Sequence, residues 1–350
     1  MTRERRIPSS RLGRFSQLGR LAGGMVGGMV GEGARQLASG NRPALGDLLL
    51  TPANAKRLAD RLSEMRGAAM KIGQLLSMDS GQILPPQLSE IMTRLREDAH
   101  RMPLGQVAQV LDESLGKQWK QAFERFDFKP IAAASIGQVH RARLRDGRDV
   151  AIKLQYPGIE ESIDSDIRNV AMLLKFSGVL PEGHDLAPLL DEARQQLYHE
   201  ADYVHEAELL QRFHAFLEAD DRFIVPAVIE ELSSKRILTM EFLHGEPIET
   251  IEKLETARRD EAARRLTELA FKEVFDWGLV QTDPNFANYL YEKESGRIQL
   301  LDFGAAREHD LEKRTAMRLL LGACMNNSDQ AILDAAAQLG YVGQGEPAGY

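Results

Sequence analysis

The tightest constraint on this chain is the stretch Gln281–Gly304. Asp283 is followed five residues later by Asn288, and then by the short apolar segment Tyr289-Leu290-Tyr291. A polar turn from Glu292 to Gly296 leads into a second apolar run that ends in Leu300-Leu301-Asp302-Phe303-Gly304. Two short apolar runs separated by a glycine-containing turn read as a β-hairpin. Closing that hairpin returns the chain, so that Asn288 and Asp302 meet at one end of two strands with Asp283 just upstream. Oxygen donors of this kind, gathered at one point, suit a hard divalent cation and the groups it serves.

The rest of the chain sets broad limits. At 350 residues it is long enough for a sizeable core, in one two-lobed domain or two compact ones. A formal net charge of −8 argues against a general nucleic-acid binder, which would carry a basic footprint. The single cysteine, Cys324, rules out an intrachain disulfide and a cysteine-built zinc site, and is expected to be a buried structural thiol in a reducing compartment. No apolar run reaches the roughly 18–20 residues that span a bilayer. The nearest is Leu21 to Gly31, which follows an arginine-rich opening. Its glycines recur every four residues (Gly23, Gly27, Gly31 and Gly24, Gly28), a spacing that lets two helices approach closely at a membrane and makes a homodimer an expectation. From its residues alone this leader reads as a flexible basic tail, a peripheral membrane-contacting helix or a cleaved signal.

Domain order follows from the periodicity. Residues 1–45 form the basic, glycine-rich leader, and residues 46–122 a helical extension. There Thr51 and Pro52 start a helix running to about Met78, which carries Lys71 and Gln74 on one face. Further helices are expected from Pro85-Pro86 and from Met102-Pro103 to Gly116. From Phe126 the period changes to two: residues 136–145 and 150–154 read as strands joined at Asp146-Gly147. Helices are expected at about 159–178, 186–217, 255–277 and 310–339, and a last strand at 237–243. Residues 123–243 thus make one lobe and 244–350 another, with no Ala-Pro-Glu and room for only a partial second lobe.

The hairpin has the layout of a kinase catalytic loop. In that layout Asp283 orients or deprotonates the acceptor, Asn288 holds one Mg²⁺ and Asp302 holds the metal that bridges the phosphates. The usual His-Arg before the aspartate is replaced by Gln281-Thr282. Val150-Ala151-Ile152-Lys153 matches the strand whose lysine holds the nucleotide phosphates. Where kinases carry a glycine-rich loop, this chain reads Ala132-Ala133-Ala134-Ser135-Ile136-Gly137, a stiffer cover for the nucleotide that should weaken ordinary protein phosphorylation. Backbone groups of Glu241 to Leu243 would meet the adenine. Helix 186–217 offers Glu200, Asp202 and Glu206, among which the lysine needs a partner.

Together these motifs resemble the UbiB-type atypical kinases, the ADCK or coenzyme Q8 group. They are Lys71-Ile-Gly-Gln74, Ala132-Ala-Ala-Ser-Ile-Gly-Gln-Val-His140, Val150 to Gly158, Glu200-Ala-Asp202-Tyr203, Leu238-Thr-Met-Glu241, Gln281-Thr-Asp-Pro-Asn285 and Leu301-Asp-Phe-Gly-Ala305. The resemblance spans about residues 10–340 and implies an α+β, protein-kinase-like two-lobed fold with an N-terminal helical extension. It implies ATP and Mg²⁺ as cofactors, Glu206 as the partner of Lys153, and Asp283, Asn288 and Asp302 in the roles just given. Lys71 and Gln74, which by themselves read as a solvated helix face, would lie over the active site and meet the regulatory pair Glu200 and Asp202. Asn285 reads as shaping its loop. The resemblance also favours a membrane-contacting leader, and because such proteins usually run on past this point, either a truncated chain or a short copy is expected. The function it implies is ATP hydrolysis, or phosphoryl transfer to a small or lipid-like acceptor, in support of isoprenoid-quinone biosynthesis. Partners would be a membrane surface and quinone-biosynthesis proteins or precursors, on the reducing side of a bacterial inner or mitochondrial membrane. A protein kinase acting on protein substrates and a nucleotide-gated lipid-binding scaffold are the alternatives.

Overall fold

The computed structural model describes residues 65–79, 102–134, 136–177, 186–283 and 285–342. The glycine-rich leader, the expected start of the first helix at Thr51, the Pro85-Pro86 helix and Ser135 lie outside the described residues. The chain divides into two compact units: residues 1–207 with 228–242, and residues 208–227 with 243–350. The junctions fall after residues 207, 227 and 242.

In the first unit, helices α1 (Arg66–Asp79) and α2 (Leu104–Leu115) precede the strands. Strands β1 (Phe123–Phe126), β2 (Ala132–Ala133), β3 (Gly137–Leu144) and β4 (Asp149–Gln155) follow, then helices α3 (Ile159–Ser177), α4 (Ala187–Glu200) and α5 (Tyr203–Leu217). Residues 208–227 carry most of α5 and strand β5 (Phe223–Ile224) into the second unit, and β6 (Ile237–Glu241) returns to the first. The sheet is antiparallel in the order β1-β3-β4-β6, with β2 on β3. Its two faces follow the period-two alternation of strands. On β4, Val150, Ile152 and Leu154 enter a core with α2, Trp119 and Phe123. Residues of α1, α3 and α4, including Ala69, Ile72, Ile163, Ile167 and Leu197, form a second core with Ile136 and Leu238. Gly137 is fixed by a close approach: a Cβ there would lie 2.3 Å from the Leu154 carbonyl oxygen.

Residues 186–217, expected as one helix, form two. Gln155 Nε2 donates to the Ala201 carbonyl (2.8 Å) at the end of α4. The Asp202 carboxylate then accepts from the amides of Val204 (3.1 Å) and His205 (3.2 Å), starting α5 as an N-cap.

The second unit has α6 (Thr256–Phe271), which passes into a π-helical turn over Lys272–Trp277 and stops at Gly278 in the left-handed region (φ 69°). Strand β7 (Glu246–Pro247) precedes α6; β8 (Leu279–Gln281), β9 (Tyr289–Tyr291), β10 (Ile298–Leu300) and β11 (Ala306–Glu308) follow. They make a sheet in the order β5-β10-β9-β7 and a two-stranded pairing of β8 with β11. The segment 310–339 is also two helices, α7 (Leu311–Met325) and α8 (Asp329–Gln338), because Asn327 takes φ 50° at the break. On α7 the buried positions are Ala316 and Ala323, and Cys324, one residue on, is exposed. The expected buried thiol is therefore a surface thiol. Among the described residues, no helix is long and apolar enough to cross a membrane.

Candidate functional site

In the first unit the alternation of β4 decides the site. With Ile152 and Leu154 on one face, Lys153 and Gln155 occupy the other. Lys153 Nζ donates to Glu206 Oε1 at 2.5 Å, and the two residues are only 8% and 3% exposed. Gln155 holds the α4 end and Lys153 holds α5, so one strand pins both sides of the helix break. A buried ion pair of this kind is costly to break, because losing one partner strands the other charge out of water. The sequence identified Lys153 and Glu206; it assigned no role to Gln155, whose place in Val150–Gly158 was the available signal.

Helix α1 brings a second lysine to the acidic segment. Lys71 is 5% exposed and pairs with Glu200 at the end of α4, while Gln74 sits half-buried one turn further on. Asp202 does not share Lys71 in this arrangement: its Oδ1 is the α5 N-cap described above. The alanine-rich segment forms a small hairpin. Ala132 and Ala133 pair with Val139 and Gln138 and are exposed, and Ala134 N–H donates to the Gly137 carbonyl (2.9 Å). Ile136, expected at the nucleotide, has its side chain in the core and its carbonyl bonded by the Tyr156 amide. Glu241 ends β6 with an exposed side chain; in the second unit, Leu243 is buried.

The second unit assembles the other set. The β9–β10 hairpin pairs Tyr289 with Leu300, and Leu301 N–H donates to the Asn288 carbonyl (2.9 Å), so Asn288 and Asp302 come to one end of two strands. Asn288 Nδ2 points to the Asp283 carbonyl (3.4 Å), which turns its amide oxygen the other way. Asn285 Oδ1 caps the short turn through the Ala287 amide (3.1 Å), a loop-shaping position. Asp302 Oδ1 accepts from Gly304 N–H (3.0 Å), and Phe303 is buried against Phe213 of α5, ring centroids 4.5 Å apart.

Beneath this loop lies a buried acid that the sequence did not single out. Glu273, in the π-helical turn, is 5% exposed, and its Oε2 accepts the Gln281 amide (2.8 Å). Burial pushes its carboxyl up to about 7, against the lowering effect of that one bond. Tyr289 is pushed up to about 12 by burial and by the nearby Glu273 and Asp283 charges, so its phenol stays protonated at neutral pH. Nothing in the local sequence Lys272-Glu273-Val274-Phe275 marks Glu273 as buried, since helical periodicity does not foresee a π turn.

Comparison with known proteins follows the same lines. The model of the ABC1 atypical kinase-like domain matches residues 94–336. A zebrafish (Danio rerio) protein named atypical kinase COQ8B, mitochondrial, is 42% identical over 311 residues, which is 88% of this chain and 50% of that protein. The Saccharomyces cerevisiae atypical kinase COQ8, mitochondrial, is 39% identical over 96% of this chain and 67% of its own length. The chain thus spans about half to two thirds of these relatives. A solved structure of Mycobacterium tuberculosis Rv3197 in complex with erythromycin is similar at TM-score 0.57 and 31% identity, covering 84% of this chain and 75% of that one.

Proposed function

The chain belongs to the ABC1 atypical kinase-like family, the group its motifs point to, and from that premise we propose that it binds Mg·ATP and either hydrolyses it or transfers its γ-phosphoryl group to a small or lipid-like acceptor. In this reading it acts at a membrane in support of isoprenoid-quinone (ubiquinone) biosynthesis, beside quinone-biosynthesis proteins or precursors. The mitochondrial names of the two curated relatives support a mitochondrial or related inner-membrane location facing a reducing compartment.

The observation that carries the reading is the buried Lys153–Glu206 pair at 2.5 Å. A structural lysine at a strand edge has no need of a desolvated carboxylate, whereas a lysine held rigidly is set to meet the nucleotide phosphates. The second unit's donor set fits Mg²⁺. One carboxylate, Asp302, and one amide oxygen, Asn288, is the kind of partial set this cation accepts, because phosphates and water complete its shell. When bound, the metal would neutralise the phosphate charge. Asp283, two residues after a side chain that bonds its amide, would orient the acceptor hydroxyl or water and take its proton. The Lys71–Glu200 pair supports a small rather than a protein acceptor. It holds α1 against the acidic segment with its charge already matched.

The test is Mg²⁺-dependent ATP turnover, with and without anionic liposomes, for the parent, Asp283→Asn and Lys153→Met. The expected result is a parent rate raised by liposomes, a loss of about 100-fold or more in kcat for Asp283→Asn, and loss of nucleotide binding for Lys153→Met. Nucleotide binding without turnover, or turnover indifferent to Asp283, would overturn the enzymatic reading and favour a nucleotide-gated scaffold.

A further inference from the structure

We propose that Gln281 is a positioning residue that locks the Asp283 loop to the Asp-Phe-Gly loop, and that the buried Glu273 holds Gln281 in place. The inference rests on the kinase-like reading above and concerns a residue to which that reading gives no role.

A glutamine amide offers an acceptor and a donor at the end of one side chain, and both are used here on different loops. Oε1 accepts the Asp283 amide at 3.0 Å, and Nε2 donates to the Asp302 carbonyl. One side chain therefore fixes the backbone of the residue that would orient the acceptor to the backbone of the residue that would hold the metal. The rest of the neighbourhood serves the same join. Gln281 pairs with Ala306 across β8 and β11, and Thr282 Oγ1 donates to the Ala305 carbonyl (2.6 Å). The Gln281 backbone N–H donates to Glu273 Oε2 at 2.8 Å, from the π-helical turn just before the strand. Such turns displace a helix locally and recur at functional sites. Here the turn carries a nearly inaccessible carboxyl beneath the loop, and its Oε2 anchors Gln281.

Chemistry narrows the residue choice. A carboxylate at this position would keep the acceptor and lose the donor. A methionine of the same length would lose both. The kinase pattern His-Arg-Asp places an imidazole two residues before the aspartate, which is the position of Gln281. A neutral imidazole also carries one N–H and one lone pair. Gln281→His is therefore the conservative variant, and Gln281→Met the one that severs the join while filling the same space.

The experiment compares the parent, Gln281→Met and Gln281→His by kcat and KM for Mg·ATP turnover and by amide hydrogen exchange. The expected result for Gln281→Met is a kcat lower by about 10- to 100-fold, as for loss of alignment of reacting groups, with KM within about twofold of the parent. Exchange should quicken in residues 282–290 and 300–306 together. Gln281→His should recover most of the kcat and the slow exchange. A Gln281→Met variant with parental kcat overturns the proposal. So does one that loses kcat, KM and melting temperature together with no recovery in Gln281→His, because that marks a purely structural side chain. If the parent itself turns over no ATP, the kinase-like reading fails separately, and the exchange measurement still decides the join. Parallel loosening of both loops supports it, and a change confined to one loop overturns it.

Discussion

A carboxyl that is buried beneath a reactive loop leaves a signature in the pH dependence of stability. Glu273 rises from an ordinary 4.5 to about 7, with burial as the main cause. The folded protein therefore holds a proton that the unfolded chain releases between those values, and stability falls as pH rises from about 4.5 to about 7. The full difference amounts to about 3 kcal/mol. Glu273→Gln keeps an acceptor for the Gln281 amide and has no charge to bury. Its stability relative to the parent should grow from under about 1 kcal/mol at pH 5 to about 3 kcal/mol at pH 8. Denaturant melts at both pH values check this, and an advantage that does not change with pH would sink it. At this scale the sequence was legible where a residue's chemistry is read with its motif. Lys153 and Asp302 stand in short patterns with a definite geometry, and Glu206 could be chosen from three acids only through the family resemblance. Glu273 and the Gln281 side chain bond to backbone groups of other loops, and such partners cannot be read from residue type alone. Cys324 was misjudged because cysteine is usually buried, whereas its helix face is set by Ala316 and Ala323.

The break between α4 and α5 belongs to the scale of elements. Apolar residues at Leu189, Leu190, Ala193, Leu197 and Ala201 run on at helical spacing into Leu209, Leu210 and Phe213, with no proline or glycine between them. Periodicity alone thus gives one helix. The break comes from tertiary contacts: Gln155 takes the Ala201 carbonyl, and Asp202 caps the next helix. It places Glu200 at the end of one helix, paired with Lys71, and Glu206 in the first turn of the next, paired with Lys153. Removing the cap should therefore act on both pairs. Asp202→Ala is expected to destabilise the protein by about 1 kcal/mol, and Asp202→Asn, an equally good cap, by only a few tenths. Equal losses in the two variants, measured by chemical denaturation, would show that the charge of Asp202 matters rather than its capping oxygen. The break between α7 and α8 also falls inside one expected helix, although Asn326-Asn327-Ser328 are turn formers and asparagine tolerates the left-handed region.

At the scale of the whole molecule, charge and apolar exposure oppose each other. In the second unit, α6, the π-helical turn and α7 border an apolar groove of about 420 Å³ lined by Phe271, Phe275, Met317, Leu320, Leu321 and Cys324. Tyr341, which also lines it, is 67% exposed, and Leu311, Leu319 and Met325 elsewhere on α7 are 71%, 54% and 77% exposed. Exposed apolar surface drives association in soluble proteins. A net charge of −8 works against association by mutual repulsion. Salt screens that repulsion and leaves the apolar attraction in place. Self-association should therefore increase as salt is raised, opposite to the behaviour of a surface held together by ion pairs. Replacing Leu319 and Met325 together by glutamate should suppress it. The melting temperature should hardly move, because exposed substitutions away from a packed site usually change stability by no more than about 0.5 kcal/mol each. Light scattering across a salt series reads the first effect and a thermal melt the second. Scattering unchanged by the double substitution would place the sticky surface elsewhere, and a large drop in melting temperature would mean that Leu319 or Met325 is packed. Sequence reading did not find these positions, because the apolar residues of α7 fall on more than one side of the helix, and only its packing shows which of them are exposed among the described residues.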